Sequence, residues 1–230
     1  MKHKPFIILF SFILLLNQLT AQKLHLSFDT GYGTYQMTGI KNILEKSMEM
    51  NEIQPHCVSN FPGYLFFRPY LTIEYRYSNI GIAYTLMSTG SRYSIHDYSG
   101  EYKFDTQIIG RTVSIFAEIQ LLSYDDFKLL VATEIGIIFN TMNLSEDIQL
   151  SDISHQQNGY NLRSINNFAK PYLKAVYKIR QNVSANISFG YHVDIIANRM
   201  HLEGNNSSVT GFYADWDGIR TSIGISYRFN

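Results

Sequence analysis

The stretch Ser222-Ile223-Gly224-Ile225-Ser226-Tyr227-Arg228-Phe229 closes the chain one residue before its end and alternates strictly between two kinds of side chain. Apolar side chains occupy every second position, with serine, glycine and arginine between them. Because successive side chains of a β-strand point to opposite faces, this period of two predicts a strand with one apolar and one polar face. Such a strand suits a sheet that meets lipid on one side and water on the other.

Seven earlier segments show the same alternation: residues 24–32, 67–77, 80–86, 113–121, 129–139, 170–179 and 183–194. A soluble sandwich or a lipocalin-like barrel would have this period too, with its apolar face turned inward. However, no Asp, Glu, Lys or Arg falls on the apolar face of any of the eight segments, and the opposite faces are rich in charged and small residues. This sorting favours an apolar face turned to lipid.

The connections alternate in length as well. Residues 78–79, 123–126 and 180–182 are tight, whereas residues 34–63, 88–104, 141–168 and 196–217 are long. We therefore predict an all-β fold, an eight-stranded antiparallel up-and-down transmembrane β-barrel with periplasmic turns and extracellular loops. Within the first long loop, residues 39–50 carry apolar side chains at helical spacing, which predicts a short helix. Such a helix could form a lid on the loops, enter the lumen or lie on the membrane, and we expect the lid.

The N-terminal region has the pattern of an export signal. Lys2 and Lys4 precede an apolar run at residues 6–16, and a small residue, Ala21, offers a cleavage site. We predict a signal peptide at residues 1–21 and a barrel domain at residues 22–230. The net charge of zero and the absence of a basic cluster argue against nucleic-acid binding, and the single Cys57 excludes an internal disulfide.

Taken together, the terminal Gly224/Tyr227/Phe229 pattern and the Thr20-Ala21-Gln22 junction resemble those of small outer-membrane β-barrel proteins with a porin-like fold, especially those of Bacteroidota-type bacteria. The resemblance spans the chain after the signal. It implies a cell-envelope protein of a Gram-negative outer membrane, with Gly224, Tyr227 and Phe229 recognised by the barrel-insertion machinery. We separately expect the barrel to be a monomer in the bilayer. Because members of this family differ widely in function, the resemblance implies a location and no activity.

The charged residues on the polar faces are the first candidates for a functional site, since an eight-stranded barrel is just wide enough for side chains to fill it. The predicted lumen-lining residues are Arg68, Glu74, Arg76, Glu118, Glu134, Lys170, Lys174, Lys178, His192, Asp194, Arg220 and Arg228. We expect opposite charges to plug the lumen. Counting inward from the tight turns pairs Glu134 with Lys174 and Lys170 with Asp194.

Three functions are compatible with these patterns. We expect a structural or interaction scaffold whose loops contact glycan or protein through aromatic residues, namely Tyr93, Tyr98, Tyr102, Tyr160, Phe212, Tyr213 and Trp216. A narrow, mildly anion-preferring channel is the first alternative. A lipid-modifying hydrolase is the second, with Ser94 and His96, or Ser188, His192 and Asp194, as candidate catalytic residues. No cofactor or metal is expected.

Overall fold

A computed structural model describes residues 23–50, 55–98, 100–150, 153–203 and 208–229, so the predicted signal peptide lies outside the described residues. Its strands are β1 (Lys23–Gly33), β2 (His56–Asn60), β3 (Tyr64–Glu74), β4 (Ser78–Asp97), β5 (Gly100–Tyr124), β6 (Phe127–Leu150), β7 (Ile153–Arg180), β8 (Val183–Ile196), β9 (Arg199–Leu202), β10 (Ser208–Tyr213) and β11 (Gly218–Arg228). One helix, α1 (Thr38–Glu49), lies between β1 and β2.

Eight of these strands form a closed antiparallel ring in the order β1, β3, β4, β5, β6, β7, β8 and β11. The seam joins β1 to β11, with Phe28 opposite Ile225 and Asp29 opposite Gly224. The predicted fold class, including the helix in the first extracellular loop, is confirmed. The short strands β2, β9 and β10 are additions within two of the long connections.

The other two long connections differ from the prediction. Residues 88–97 with 100–104, and 141–150 with 153–168, continue the strand pairs β4–β5 and β6–β7 as long hairpins, with Arg92 opposite Asp105 and Asn143 opposite Asn161. Here the backbone ladder persists although the apolar alternation fades. The reason is that beyond the hydrocarbon core neither face of a strand has to be apolar.

The outer surface of the ring is apolar and widely exposed, with Phe28, Ile82, Ile115 and Ile187 each about half accessible or more. Aromatic side chains cluster close to the tight turns; the exposed ones are Tyr75, Tyr77, Tyr124, Phe127, Tyr177, Tyr227 and Phe229. Aromatic rings at this level form the girdle that transmembrane barrels place at the membrane interface. Among the described residues, no helix combines the length and hydropathy needed to span a membrane.

The interior has two layers of opposite character. The half near the tight turns is polar, and the extracellular half is an apolar cluster: Tyr35, Met37, Ile40, Leu44, Met48, Phe61, Phe66, Met87, Tyr93, Ile108, Ile138, Met142, Leu162, Phe168, Met200, Ala214 and Trp216. Helix α1 begins after Met37, which has a left-handed backbone (φ 49°), and contributes Ile40, Leu44 and Met48 to the cluster. The helix therefore closes the extracellular mouth with its apolar face.

Candidate functional site

The polar half of the lumen is organised around Arg68, which projects inward from β3. Its Nη1 lies 3.2 Å from Asp29 Oδ2 on β1, and its Nη2 lies 3.0 Å from Glu134 Oε2 on β6. All three side chains are almost completely buried. The guanidinium thus bridges carboxylates from two different sides of the barrel, an arrangement that Arg makes possible because its donors are spread over a rigid plane.

Two lysines complete the network. Lys170 Nζ lies 2.7 Å from Glu134 Oε2, and Lys174 Nζ lies 2.9 Å from Glu118 Oε1. With Asp29 and Arg68 the cluster contains three cations and three carboxylates, so its charges balance. We refer to Asp29, Arg68, Glu118, Glu134, Lys170 and Lys174 as the lumen network.

The predicted partners of both lysines were wrong. Glu134 faces Lys170 directly across β6 and β7, and Lys174 stands opposite Leu130, four residues from the predicted position. The error arises because the turns on the two sides of a strand lie at different heights in a sheared barrel, so counting from them misplaces the register. Asp194 pairs with His192 and takes no part in the lumen network.

Aromatic and amide side chains fill the space left by the charges. Tyr70 Oη and Asn186 Nδ2 each donate to Asp29 Oδ1 at 3.2 Å, and Tyr172 Oη donates to Glu118 Oε1 at 3.2 Å. The Arg68 guanidinium also lies over the rings of Tyr70 and Phe116, at 4.3 and 4.9 Å. These contacts fix the network across the full width of the lumen.

The space beside the network is small. Two cavities of about 10 Å³ each lie against Phe66, Lys170 and Arg220, one also touching Glu134 and His192 and the other Tyr172 and Ser222. A cavity of this size holds about one water molecule. A larger cavity, of about 110 Å³, opens at the end with the tight turns, and Lys174 and Glu118 form part of its lining. We call it the periplasmic vestibule.

Four further residues that were predicted to line the lumen lie at the periplasmic end of the barrel, near the tight turns. Glu74 accepts a 2.6 Å hydrogen bond from Lys128 Nζ and lies 3.0 Å from His25 Nε2, while Lys178 pairs loosely with Asp126. Arg228 donates to the Gln181 carbonyl. Arg76, in contrast, was predicted to face inward and is exposed. It lies in the turn that reverses the chain from β3 into β4, where the strand period no longer applies.

Two residues predicted to line the lumen, Asp194 and Arg220, form a second polar cluster near the extracellular end, beneath α1. Asp194 accepts hydrogen bonds from Asn166 Nδ2 and the Trp216 backbone N–H, both at 3.1 Å. Trp216, which is fully buried, donates from Nε1 to Asn140 Oδ1 at 2.7 Å, and Arg220 donates from Nη2 to the Trp216 carbonyl at 2.6 Å. Together these bonds fix the Trp216 indole in the apolar cluster to which α1 contributes.

The candidate hydrolytic residues are only partly brought together. His192 Nε2 lies 3.2 Å from Asp194 Oδ1, but the His192 ring is buried and stacked on Phe168, with centroids 4.5 Å apart. Ser188 Oγ bonds instead to Ser222 Oγ at 2.6 Å. Ser94 and His96 lie on β4 with the same parity as exposed Arg92, on its outer face. Neither set presents a serine hydrogen-bonded to its histidine within the described residues.

Asp215 precedes Trp216 and lies outside the membrane-spanning strands. Its carboxyl should make the free energy of unfolding depend on pH. Burial raises the pKa of the Asp215 carboxyl, and repulsion by Asp217 and Asp194 adds to the rise. A carboxyl whose pKa is higher folded than unfolded supplies stability that is present at low pH and lost as pH rises through the folded pKa. Asp215→Asn should therefore be more stable than the wild type at neutral pH, and the difference should shrink on acidification. Urea unfolding of both proteins at several pH values measures this, with Asp125→Asn in an exposed turn as control; a constant difference would contradict it.

Gly224, proposed above as part of an insertion signal, also has a packing role at the seam. A Cβ at this position would lie 1.9 Å from Asp29 Oδ1 and 2.7 Å from the Phe28 carbonyl. Tyr227 and Phe229 point outward, with ring centroids 5.1 Å apart. The three residues thus lie at the seam and the membrane interface.

Gly224→Ala should lower the free energy of unfolding by about 1–3 kcal/mol, because the added methyl displaces the Asp29 carboxylate from the lumen network. Urea titration of the refolded barrel measures the loss. Gly159→Ala is the matched control, since a Cβ there meets only an ordinary 3.6 Å contact. Equal stability of the two variants would show that the seam has room for a methyl group.

Sequence reasoning missed Asp29 and the apolar upper half of the lumen. Asp29 stands on the polar face of the first segment, so the same alternation could have identified it. The upper half carried no such signal. Ile108 and Met142 lie outside the predicted strand segments, and Ile138 lies between the outward apolar residues Ile137 and Phe139, where apolar side chains on both faces hide the period of two. The loop aromatics were also misjudged in part: Tyr93, Tyr102 and Trp216 are buried, whereas Tyr98 and Tyr160 are exposed.

An antiparallel ring of eight strands with an apolar outer surface, an aromatic girdle and a filled lumen defines the class: this is a β-barrel of the bacterial outer membrane. One solved structure agrees with this fold. A major outer membrane protein from Thermus thermophilus is similar with a TM-score of 0.51 and 13% identity, covering 90% of this chain and 99% of that one. OprG of Pseudomonas aeruginosa has a TM-score of 0.45 and 12% identity, covering 91% of this chain and 95% of its own.

Neisserial surface protein A has a TM-score of 0.40 and 10% identity, covering 90% of this chain and 97% of its own. No protein-family model matches the chain, and no curated protein matches it by sequence. The localisation in the outer membrane is therefore supported by the fold, and a specific role has to be argued from the site.

Proposed function

We propose that this protein is a non-conducting, non-enzymatic scaffold that holds extracellular hairpins rigidly above the outer membrane. The observation that carries the proposal is the doubly closed lumen. The lumen network spans one half, and α1 with its apolar cluster fills the other. A barrel closed in this way offers the outside world its surface and its hairpins.

The hairpins support this role because their described residues are paired as regular strands. β7 has 28 residues, far more than the roughly 9–11 that cross a bilayer. Tyr98 at the tip of β4–β5 is 98% exposed and Tyr160 on the outer part of β7 is 59% exposed. Exposed aromatic rings on a rigid support are suited to contact with glycan or protein. We propose a monomer that uses these rings.

A narrow channel is the second candidate, favoured by the periplasmic vestibule, which reaches Lys174 and Glu118 in the lumen. Planar-bilayer recording separates the two. The refolded wild type should show no steady openings, because the cavities described beyond the vestibule, beside Lys170 and Arg220, have only the size of single water molecules. Lys174→Glu should also be silent.

The recordings need proof that the barrel is folded, which heat-dependent gel mobility supplies, and a known porin as positive control. Steady openings of the wild type whose ion preference changes in Lys174→Glu would overturn the closed scaffold. Openings that appear only after residues 39–60 are deleted would show that α1 is a removable plug, and would also overturn it.

The display of the hairpins is tested by labelling intact cells with a maleimide too large to cross the outer membrane. In a Cys57→Ser background, Tyr98→Cys should react and Gln181→Cys, in a tight turn, should not. Labelling of the turn but not the hairpin would mean the opposite orientation.

We further propose that residues 1–21 are removed, that the insertion machinery recognises Gly224, Tyr227 and Phe229, and that the barrel is of the Bacteroidota type. N-terminal sequencing of the purified protein tests the removal of residues 1–21.

A further inference from the structure

An open groove on the outer face of the barrel lies where the ladder of β7 changes partner. β7 pairs with β8 as far as Asn167, opposite Ile196, and then with β9, where Arg163 stands opposite His201. Between these points residues 197–198 belong to neither β8 nor β9, and Asn198 Nδ2 bonds to the Ile165 carbonyl. The resulting space, about 1070 Å³ in volume, is the outer groove.

Positively charged side chains line the outer groove. Arg111, Arg163, Arg199 and His201 line it, and all four are exposed. One carboxylate, that of Glu203, pairs with Arg163. Arg199 Nε donates to Tyr213 Oη at 2.9 Å, which orients its guanidinium, and its terminal nitrogens have no partner among the described residues. The groove therefore has an excess of positive charge with planar donors.

Arg111 is the most informative of these residues because of its level in the membrane. Its neighbours across the sheet are Leu86 on β4 and Phe139 on β6, both exposed on the lipid-facing surface. Among the described residues its guanidinium has no hydrogen bond or ion pair. A guanidinium at the upper edge of the apolar band is costly unless it extends to the interface and meets an anion there.

We propose that the outer groove binds the phosphate of a phosphorylated lipid of the outer leaflet. Arg111 and Arg163 would hold the phosphate oxygens, since an Arg fork matches phosphate geometry with two parallel hydrogen bonds. Phe139 and Ile165, which also line the groove, are exposed and apolar, and they support the acyl chains below the headgroup. This inference is independent of whether the lumen conducts.

Native mass spectrometry of the refolded barrel in detergent tests the proposal, with phosphorylated lipid A as probe. Wild type should retain one lipid, and Arg111→Gln/Arg163→Gln should lose apparent affinity at least about tenfold, because charge-assisted bonds to phosphate are lost. Arg92→Gln is the matched control, an exposed arginine paired with Asp105 outside the groove. Gel mobility confirms that all three proteins are folded.

Two further probes identify what is recognised. The first probe is lipid A from which the phosphate has been removed. The wild type should bind this lipid as weakly as the double variant binds phosphorylated lipid A. Inorganic phosphate at the same concentration should not displace the lipid, since it lacks the acyl chains. Equal binding by the double variant, equal binding of the dephosphorylated lipid, or full displacement by inorganic phosphate would each overturn a site for a phosphorylated lipid.

Discussion

Arg68→Met should lower the free energy of unfolding of the refolded barrel by about 3–5 kcal/mol, because it leaves Asp29 and Glu134 buried without their shared cation. Both carboxylates are nearly inaccessible to solvent, so water cannot replace the guanidinium. Urea titration followed by the fluorescence of Trp216, the single tryptophan, measures the loss.

Two further variants separate electrostatics from packing. Arg68→Met/Glu134→Gln should recover a substantial part of the loss, since removing one carboxylate restores the balance of charge. Arg92→Met removes an exposed arginine that also pairs with a carboxylate, Asp105, and should cost at most about 1 kcal/mol. If Arg68→Met were no less stable than Arg92→Met, the lumen network would not be an important source of stability.

Leu44→Asp should detach α1 from the mouth without unfolding the barrel. Leu44 is 2% exposed in the apolar cluster, and a carboxylate there has no cation among the cluster residues. The variant loses the roughly 1.5–3 kcal/mol that burial of Leu44 contributes and adds several kcal/mol for burying an unpaired charge. Together these costs offset the roughly 3–6 kcal/mol that the two remaining buried side chains of the helix, Ile40 and Met48, contribute. Trypsin cleavage at Lys41 and Lys46 should then accelerate at least about tenfold, which corresponds to about 1.4 kcal/mol of docking.

Asn42→Asp introduces the same charge on the exposed side of α1 and should leave the cleavage rate close to that of the wild type. Gel mobility shows in parallel that the barrel remains folded. If both variants were cut at the same rate as the wild type, α1 would not depend on Leu44 for its position. If Leu44→Asp failed to fold at all, the helix would be part of the barrel core and not a separate lid.

The barrel itself could be predicted from sequence because lipid imposes a simple rule on every spanning strand. Most outward side chains within the bilayer have to be apolar, so Ile223, Ile225 and Tyr227 already carry the signal. The rule has no force beyond the bilayer, and the hairpins around Arg92 and Asn143 were accordingly mistaken for loops. Arg76 was misplaced for a related reason, since a period of two was continued into a turn.

The contacts of the site could be predicted less well than its composition. Alternation shows that Glu134, Lys170 and Lys174 share the lumen, but partners depend on shear, which local sequence does not reveal. The outer groove was not predicted at all. It arises from a change of strand partner near Asn198, and it joins Arg111 to Arg163 and Arg199 from three different strands.

The position of Asp29 has a consequence for how the barrel is assembled. Asp29 belongs to the first strand, and its oxygens receive bonds from Arg68 and Tyr70 on β3 and from Asn186 on β8. β3 adjoins β1 directly, but β8 reaches Asp29 only across the last strand, β11, at the glycine that leaves room for the carboxylate. In an open sheet the Asp29 carboxylate therefore lacks one of its hydrogen-bond donors. Pairing of the first strand with the last completes the hydrogen bonds of this carboxylate in the same step. Partly closed intermediates consequently gain little stability from this group.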